Sequence, residues 1–129
     1  MRLLLDSHAL LWLFYDSRRL RPEARAALDD PRNEVATSVA SLWELATKVR
    51  AGKLDADVAG IAGRLAPRSQ VALLPIAPEH LIAMLALPRH ADHRDPTDLL
   101  LVATALREGM ALVTRDAKLA RYPVARLVC

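Results

Sequence analysis

At 129 residues, 53% of them apolar and 26% charged, the chain can fill one core and lacks the composition of a disordered segment. No apolar run approaches the roughly 18 residues that span a bilayer, and the opening Met1-Arg2-Leu3-Leu4-Leu5 meets Asp6 at once, so neither a membrane span nor a signal peptide is expected. The lone Cys129 excludes an internal disulfide framework and a cysteine ligand set, in keeping with a reducing, cytoplasmic setting. The net charge of +3 suits a polyanionic partner, although fifteen arginines against three lysines also fit an arginine-rich gene composition.

In chain order, Arg2–Leu5 is an apolar run of strand length, and His8–Tyr15 carries Leu10, Leu11, Trp12 and Phe14 as a helix. Pro22 opens a second helix that ends near Asp29-Asp30-Pro31. Val35–Thr37 is a strand, and 38–50 places Val39, Leu42, Trp43, Ala46 and Val49 at helical spacing before Gly52. Asp55–Leu65 is expected to be helical, 71–76 a strand, and Pro78 the start of the next helix. Pro96 begins a helix that runs to Glu108 and stops at Gly109. Ala111–Thr114 is a strand, Asp116–Ala120 a short helix and Val124–Val128 a last strand. Strands separated by helices predict an α/β three-layer sandwich with a central, mainly parallel sheet of about five strands, and one domain over 1–129.

Open parallel sheets bind ligands beyond the carboxyl ends of their strands. Asp6 follows the first strand directly, and Asp116 follows Ala111–Thr114 with one residue between. Asp98 heads a helix whose i+3, i+4 and i+7 positions are Leu101, Val102 and Ala105, which turns it toward the buried side. Glu44 lies on the helix after the second strand. Two such charges about 5 Å apart repel by roughly 3 kcal/mol at an effective dielectric near 20. If the four converge, either some protonate or a divalent cation lies between them. With no zinc-spaced His/Cys set, oxygen ligands favour Mg²⁺ or Mn²⁺.

At these residues the sequence resembles the PIN-domain family, and within it the toxin ribonucleases of VapBC toxin–antitoxin pairs. The resemblance is carried by Leu3-Leu4-Leu5-Asp6-Ser7-His8, with Ser7 where the family usually has threonine. It continues through Ser38-Val39-Ala40-Ser41-Leu42-Trp43-Glu44-Leu45, His93-Arg94-Asp95-Pro96-Thr97-Asp98 and Leu112-Val113-Thr114-Arg115-Asp116. Each motif is weak alone, but the four occur in the family's order across the whole chain. The resemblance implies that Asp6, Glu44 and Asp98 are the core metal-binding and catalytic acids and Asp116 a more variable fourth. It implies Mg²⁺-dependent endonucleolytic cleavage of RNA, by in-line attack of an activated water without a covalent enzyme intermediate. A small DNA-binding antitoxin and a second copy of the chain are the implied protein partners.

Plainer roles remain open at each position. Asp6, Asp95 and Asp116 all stand where a helix N-cap is favoured, and capping is the preferred reading for Asp95. Glu44 has Lys48 four residues on, and Ser41-x-x-Glu44 matches a capping box. His90 and His93 suit a solvated loop better than a metal pair. Trp12 and Trp43 suit core or dimer contacts better than base stacking, and Arg18, Arg19 and Arg21 suit either a loop or phosphate contacts. Functional alternatives are an RNA-processing nuclease of this type without an antitoxin, or a non-catalytic acid-lined module such as a phosphoacceptor domain. The latter is disfavoured because a single acid follows the first strand and Lys118 is not followed by proline. No Gly-x-Gly-x-x-Gly follows Leu5, which argues against a dinucleotide site.

Overall fold

Three consecutive leucines, Leu3, Leu4 and Leu5, are each fully buried, and they sit in the middle of the molecule because their strand is the middle of its sheet. The computed structural model describes residues 1–65, 69–92 and 95–129. The strands are β1 (Arg2–Leu5), β2 (Glu34–Ser38), β3 (Ala72–Leu74), β4 (Ala111–Thr114) and β5 (Arg126–Val128). They form one sheet in the order β3-β2-β1-β4-β5, and every pairing is parallel. Leu5 is in register with Thr37 on one side and Val113 on the other.

The helices are α1 (Ser7–Tyr15), α2 (Pro22–Asp29), α3 (Val39–Arg50), α4 (Val58–Gly63), α5 (Pro78–Met84) and α6 (Pro96–Glu108). Short 3₁₀ turns occupy Ser17–Arg19 and Ala117–Arg121. Side chains alternate across the sheet as a strand's period of two requires. Leu3, Leu5, Val35 and Val113 enter one core with Leu10 of α1, Leu28 of α2, Leu45 of α3 and Ile61 of α4. Leu4, Ala36 and Leu112 enter the other with Leu101, Val102 and Ala105 of α6. Burying each such leucine contributes roughly 1.5–3 kcal/mol relative to exposure. The three-layer arrangement and the five parallel strands match the expectation from sequence. No helix among the described residues is long and apolar enough to cross a membrane.

Helix α6 spans the predicted residues. Pro96 occupies its first turn, and Gly109 ends it at φ 67°, a left-handed conformation that suits glycine. Several expectations need correction: the strands expected over 71–76 and Val124–Val128 narrow to β3 and β5, and the short helix expected over Asp116–Ala120 is the 3₁₀ turn Ala117–Arg121. The helix expected over Asp55–Leu65 is shortened to α4, because Asp57 caps it by accepting the Gly60 N–H at 3.0 Å. The Ser41-x-x-Glu44 capping box does not form, since α3 starts a turn earlier with Ser38 accepting the Ala40 N–H at 3.0 Å.

Candidate active site

The sheet order reverses direction at β1: the chain leaves toward β2 and β3, then returns to the other side as β4 and β5. A crevice opens outside the carboxyl ends of the strands at such a switch point. Here it is a cavity of about 410 Å³ whose walls include Asp6, Glu44, Asp95, Asp98 and Asp116. All four acids expected at the site line this one cavity, as does Asp95. Ser7, His8, Lys48 and Arg115 complete its polar wall.

Asp6 is 6% exposed. It caps α1, its Oδ1 accepting the Ala9 N–H at 2.8 Å, and it also accepts a hydrogen bond from the Thr114 side chain. Burial nevertheless raises its pKa above the ordinary carboxylate range, against the lowering effect of those bonds and of His8, and Glu44 raises it further. Burial likewise holds the His8 imidazole below its ordinary pKa; Asp6 opposes this, while Arg115 and Lys48 add to it.

Glu44 reaches the cavity from α3. Its Oε1 accepts from Ser7 Oγ at 2.9 Å and from Lys48 Nζ at 3.1 Å. The salt bridge suggested by i,i+4 spacing is thus real and coexists with a place in the acidic cavity. Asp95 caps α6 by accepting the Thr97 and Asp98 N–H groups at 2.9 and 3.3 Å. That hold on the first turn places half-buried Asp98 at the cavity, above fully buried Leu101, Val102 and Ala105. Asp116 caps the 3₁₀ turn through the Lys118 N–H at 2.9 Å.

Thr114, the last residue of β4, was not singled out in the sequence. It is fully buried; its Oγ1 accepts the Asp116 N–H at 3.1 Å while its side chain bonds Asp6. One hydroxyl thus links the acids that follow β1 and β4. A threonine ending the strand Ala-Leu-Val-Thr reads as an ordinary β-former, so no sequence signal marked it.

The other residues weighed in the sequence fall in several places. Trp12 is buried beneath two guanidinium groups, with Arg19 and Arg115 Cζ at 4.9 and 5.0 Å from its ring centroid. Trp43 is 59% exposed and is not a core residue. Arg18 pairs with Asp16 at 3.3 Å. His90 is not a solvated loop residue: its ring packs edge-on against Tyr122 at 5.3 Å. His93 and Arg94 lie outside the described residues.

The donor set fits a hard divalent cation: oxygen ligands, mostly carboxylates, around one buried acid whose charge burial disfavours. Among the described residues, no three acidic, histidine or cysteine side chains are drawn together as a closed ligand group. Asp6, Glu44, Asp95 and Asp116 each have one oxygen engaged by the protein itself.

Comparison with known proteins agrees with this architecture. Residues 3–125 match the model of the PIN domain. The chain is 30% identical over 116 residues to Ribonuclease VapC22 of Mycobacterium tuberculosis (strain ATCC 25618 / H37Rv), covering 90% of this chain and 88% of that protein. Its fold is similar to the crystal structure of VapBC2 from Rickettsia felis bound to a DNA fragment from their promoter, with TM-score 0.72, 17% identity and coverage of 99% and 98% of the two chains. It is also similar to DNA-bound VapBC from Salmonella typhimurium, with TM-score 0.67, 16% identity and the same coverage. Four motifs in order, five carboxylates at the switch point and a family match over nearly the full length lead to one statement: the chain belongs to the PIN-domain family.

Proposed function

We propose that this chain is a single-domain, metal-dependent endoribonuclease and the toxin of a toxin–antitoxin pair. The observation that carries the reading is the meeting of Asp6, Glu44, Asp98 and Asp116 around one cavity at the β1–β4 switch point. Ribonuclease VapC22, a relative, is a ribonuclease by name, and two similar folds are VapBC assemblies on DNA. Asp6, Glu44, Asp98 and Asp116 would hold Mg²⁺ or Mn²⁺, which supplies positive charge to activate a water and stabilise charge on a phosphodiester.

The chain's own groups divide the remaining work. Ser7 and Lys48 fix the Glu44 carboxylate from two sides. Thr114 orients Asp6 and the backbone of Asp116 together. Arg115, lying over the Trp12 ring at the cavity wall, presents a guanidinium to the phosphate oxygens of an RNA strand. His8, its imidazole held toward the neutral form, stands where it can accept or return a proton. Asp95 serves chiefly as the cap that aims Asp98.

The reading includes a small DNA-binding antitoxin and pairing of two copies of the chain. Exposed Trp43, Ile76 and Leu81 line an apolar groove of about 230 Å³ between α3, α5 and the start of α6, a surface of the kind a second copy covers. The test is cleavage of RNA with Mg²⁺ or Mn²⁺ by the wild-type chain and by Asp6→Asn, with sequencing of the new ends. Cleavage lost in Asp6→Asn, together with a melting temperature of the wild type that rises with either metal, supports the reading. Cleavage retained in Asp6→Asn would falsify the site, and absence of cleavage by the wild type with either metal would remove the function.

A further inference from the structure

Beside the acidic cavity lies a second, smaller cleft that the acids do not enter. Its apolar floor is made by Leu11 of α1, Leu45 of α3 and Leu54, and its rim includes Ser7, Lys48 and Lys53. It shares Ser7, His8 and Lys48 with the acidic cavity, so the two are continuous. The chain has three lysines in all, and two of them stand on this rim.

Lys53 is brought there by the way α3 ends. Gly52 takes φ 74°, a left-handed conformation that suits glycine. The Lys53 N–H turns back to the Lys48 carbonyl at 2.9 Å, and the Gly52 N–H bonds the Val49 carbonyl at 3.0 Å. This glycine-terminated helix end stops α3 and returns the chain to the cleft beside Lys48. The Lys53 ammonium is exposed and forms no ion pair among the described residues. An unpaired ammonium and a second one shared with Glu44 border a hydrophobic floor next to a phosphodiester-cleaving centre. The cleft's volume of about 230 Å³ falls below the roughly 300 Å³ at which sites for whole drug-sized ligands begin, so it suits a single base with its phosphate.

We propose that this cleft is a nucleotide subsite: Lys53 and Lys48 hold the phosphate adjoining the scissile one, and the attached base rests on Leu11, Leu45 and Leu54. The proposal rests on the ribonuclease reading and deepens it. A strand occupying both cavities has its scissile phosphate among the acids and its neighbouring phosphate against the lysines. Lys53 is then a positioning residue that selects how the strand lies. It acts on binding and leaves the chemical step untouched.

The experiment compares wild type, Lys53→Ala and Lys53→Arg on a short fluorescein-labelled RNA of mixed sequence. Cleavage with Mg²⁺ gives kcat and KM, and anisotropy over a series of salt concentrations gives the salt dependence of binding. Loss of one charged hydrogen bond predicts a KM for Lys53→Ala raised roughly tenfold with kcat unchanged. The slope of log affinity against log salt should fall by about 0.7, the value for one phosphate contact on a single strand. Lys53→Arg should restore both. Cleavage by Lys53→Ala with wild-type KM and an unchanged salt slope would overturn the subsite and leave the ribonuclease reading standing. A wild-type chain that neither binds nor cuts the RNA would overturn both. If a poly-glutamate peptide binds the wild type, loses binding in Lys53→Ala and RNA kinetics do not change, the cleft belongs to an acidic protein partner and the proposal fails.

Discussion

Two buried titratable groups in this molecule are treated in opposite ways. His80, at the start of α5, is 3% exposed and has a partner on each ring nitrogen. Its Nδ1 accepts the Ala77 N–H at 3.1 Å, and its Nε2 faces the Glu108 carboxylate of α6 at 2.8 Å. The bond leaves Glu108 below the ordinary carboxylate range, as expected for a carboxylate stabilised in its charged form. Asp6, at 6% exposure, has two hydrogen bonds of its own, and yet burial wins and its pKa rises. The first group ties α5 to α6 and is settled. The second is held in an environment that its charged form disfavours, beside other acids, and such unresolved charge marks places where a protein does chemistry.

The largest effect that tests this contrast is on activity. Asp98→Asn should lower metal-dependent RNA cleavage by about a thousandfold, the upper end for deleting one preorganised charge-stabilising group, with an unaltered melting curve in metal-free buffer. Next, His80→Ala removes a fully paired buried ring. It should cost about 2–3 kcal/mol by chemical denaturation while activity per folded molecule is kept; lost activity at full folding would place His80 in the site. Thr114→Val keeps shape and drops the hydroxyl between Asp6 and Asp116. Its kcat should fall about 10- to 100-fold, the range for groups that orient metal ligands from behind, and an unchanged kcat would reduce Thr114 to packing.

The smallest effect concerns stability. With its pKa raised on folding, Asp6 keeps its proton in the folded protein over a pH window where the unfolded chain has already lost it. Stability therefore falls as pH rises through that window, which begins near the ordinary aspartate value of about 3.9 and ends above the raised folded pKa. Asp6→Asn retains an N-cap acceptor and removes the charge. In metal-free buffer it should melt slightly higher than wild type at neutral pH, and the gain should vanish toward acid pH. A lower melting temperature at neutral pH would mean that the carboxylate stabilises the fold.

These contrasts also show what sequence can and cannot convey. The bounds of β1 and α6 were legible because their signals are local: an apolar run closed by Asp6, and a helix between Pro96 and Gly109. The caps Asp6, Asp95 and Asp116 were legible for the same reason. The capping and the cavity-lining roles turned out to be compatible, since a residue at a strand's end and a helix's start does both. Glu44 was harder. Its visible neighbour was Lys48, and its approach to Asp6 depends on the packing of α3 against α1 and on the Ser7 hydroxyl, which lies 37 positions away. Only the motif resemblance reached across that distance. Thr114 was invisible, because its importance comes from two partners that the sheet register supplies.

The position of β1 has a consequence in time. β1, the first of the described strands in chain order, is the centre of the sheet, yet β4, which flanks it and precedes Asp116, is drawn from residues 111–114. Pairing that far apart in sequence forms late, since the loop it closes carries a large entropy. Asp6 is therefore made well before Thr114 and Asp116, and the acidic cavity does not exist until β4 has joined the sheet. Until that pairing forms, the carboxylates are scattered along a chain that cannot yet bring them together.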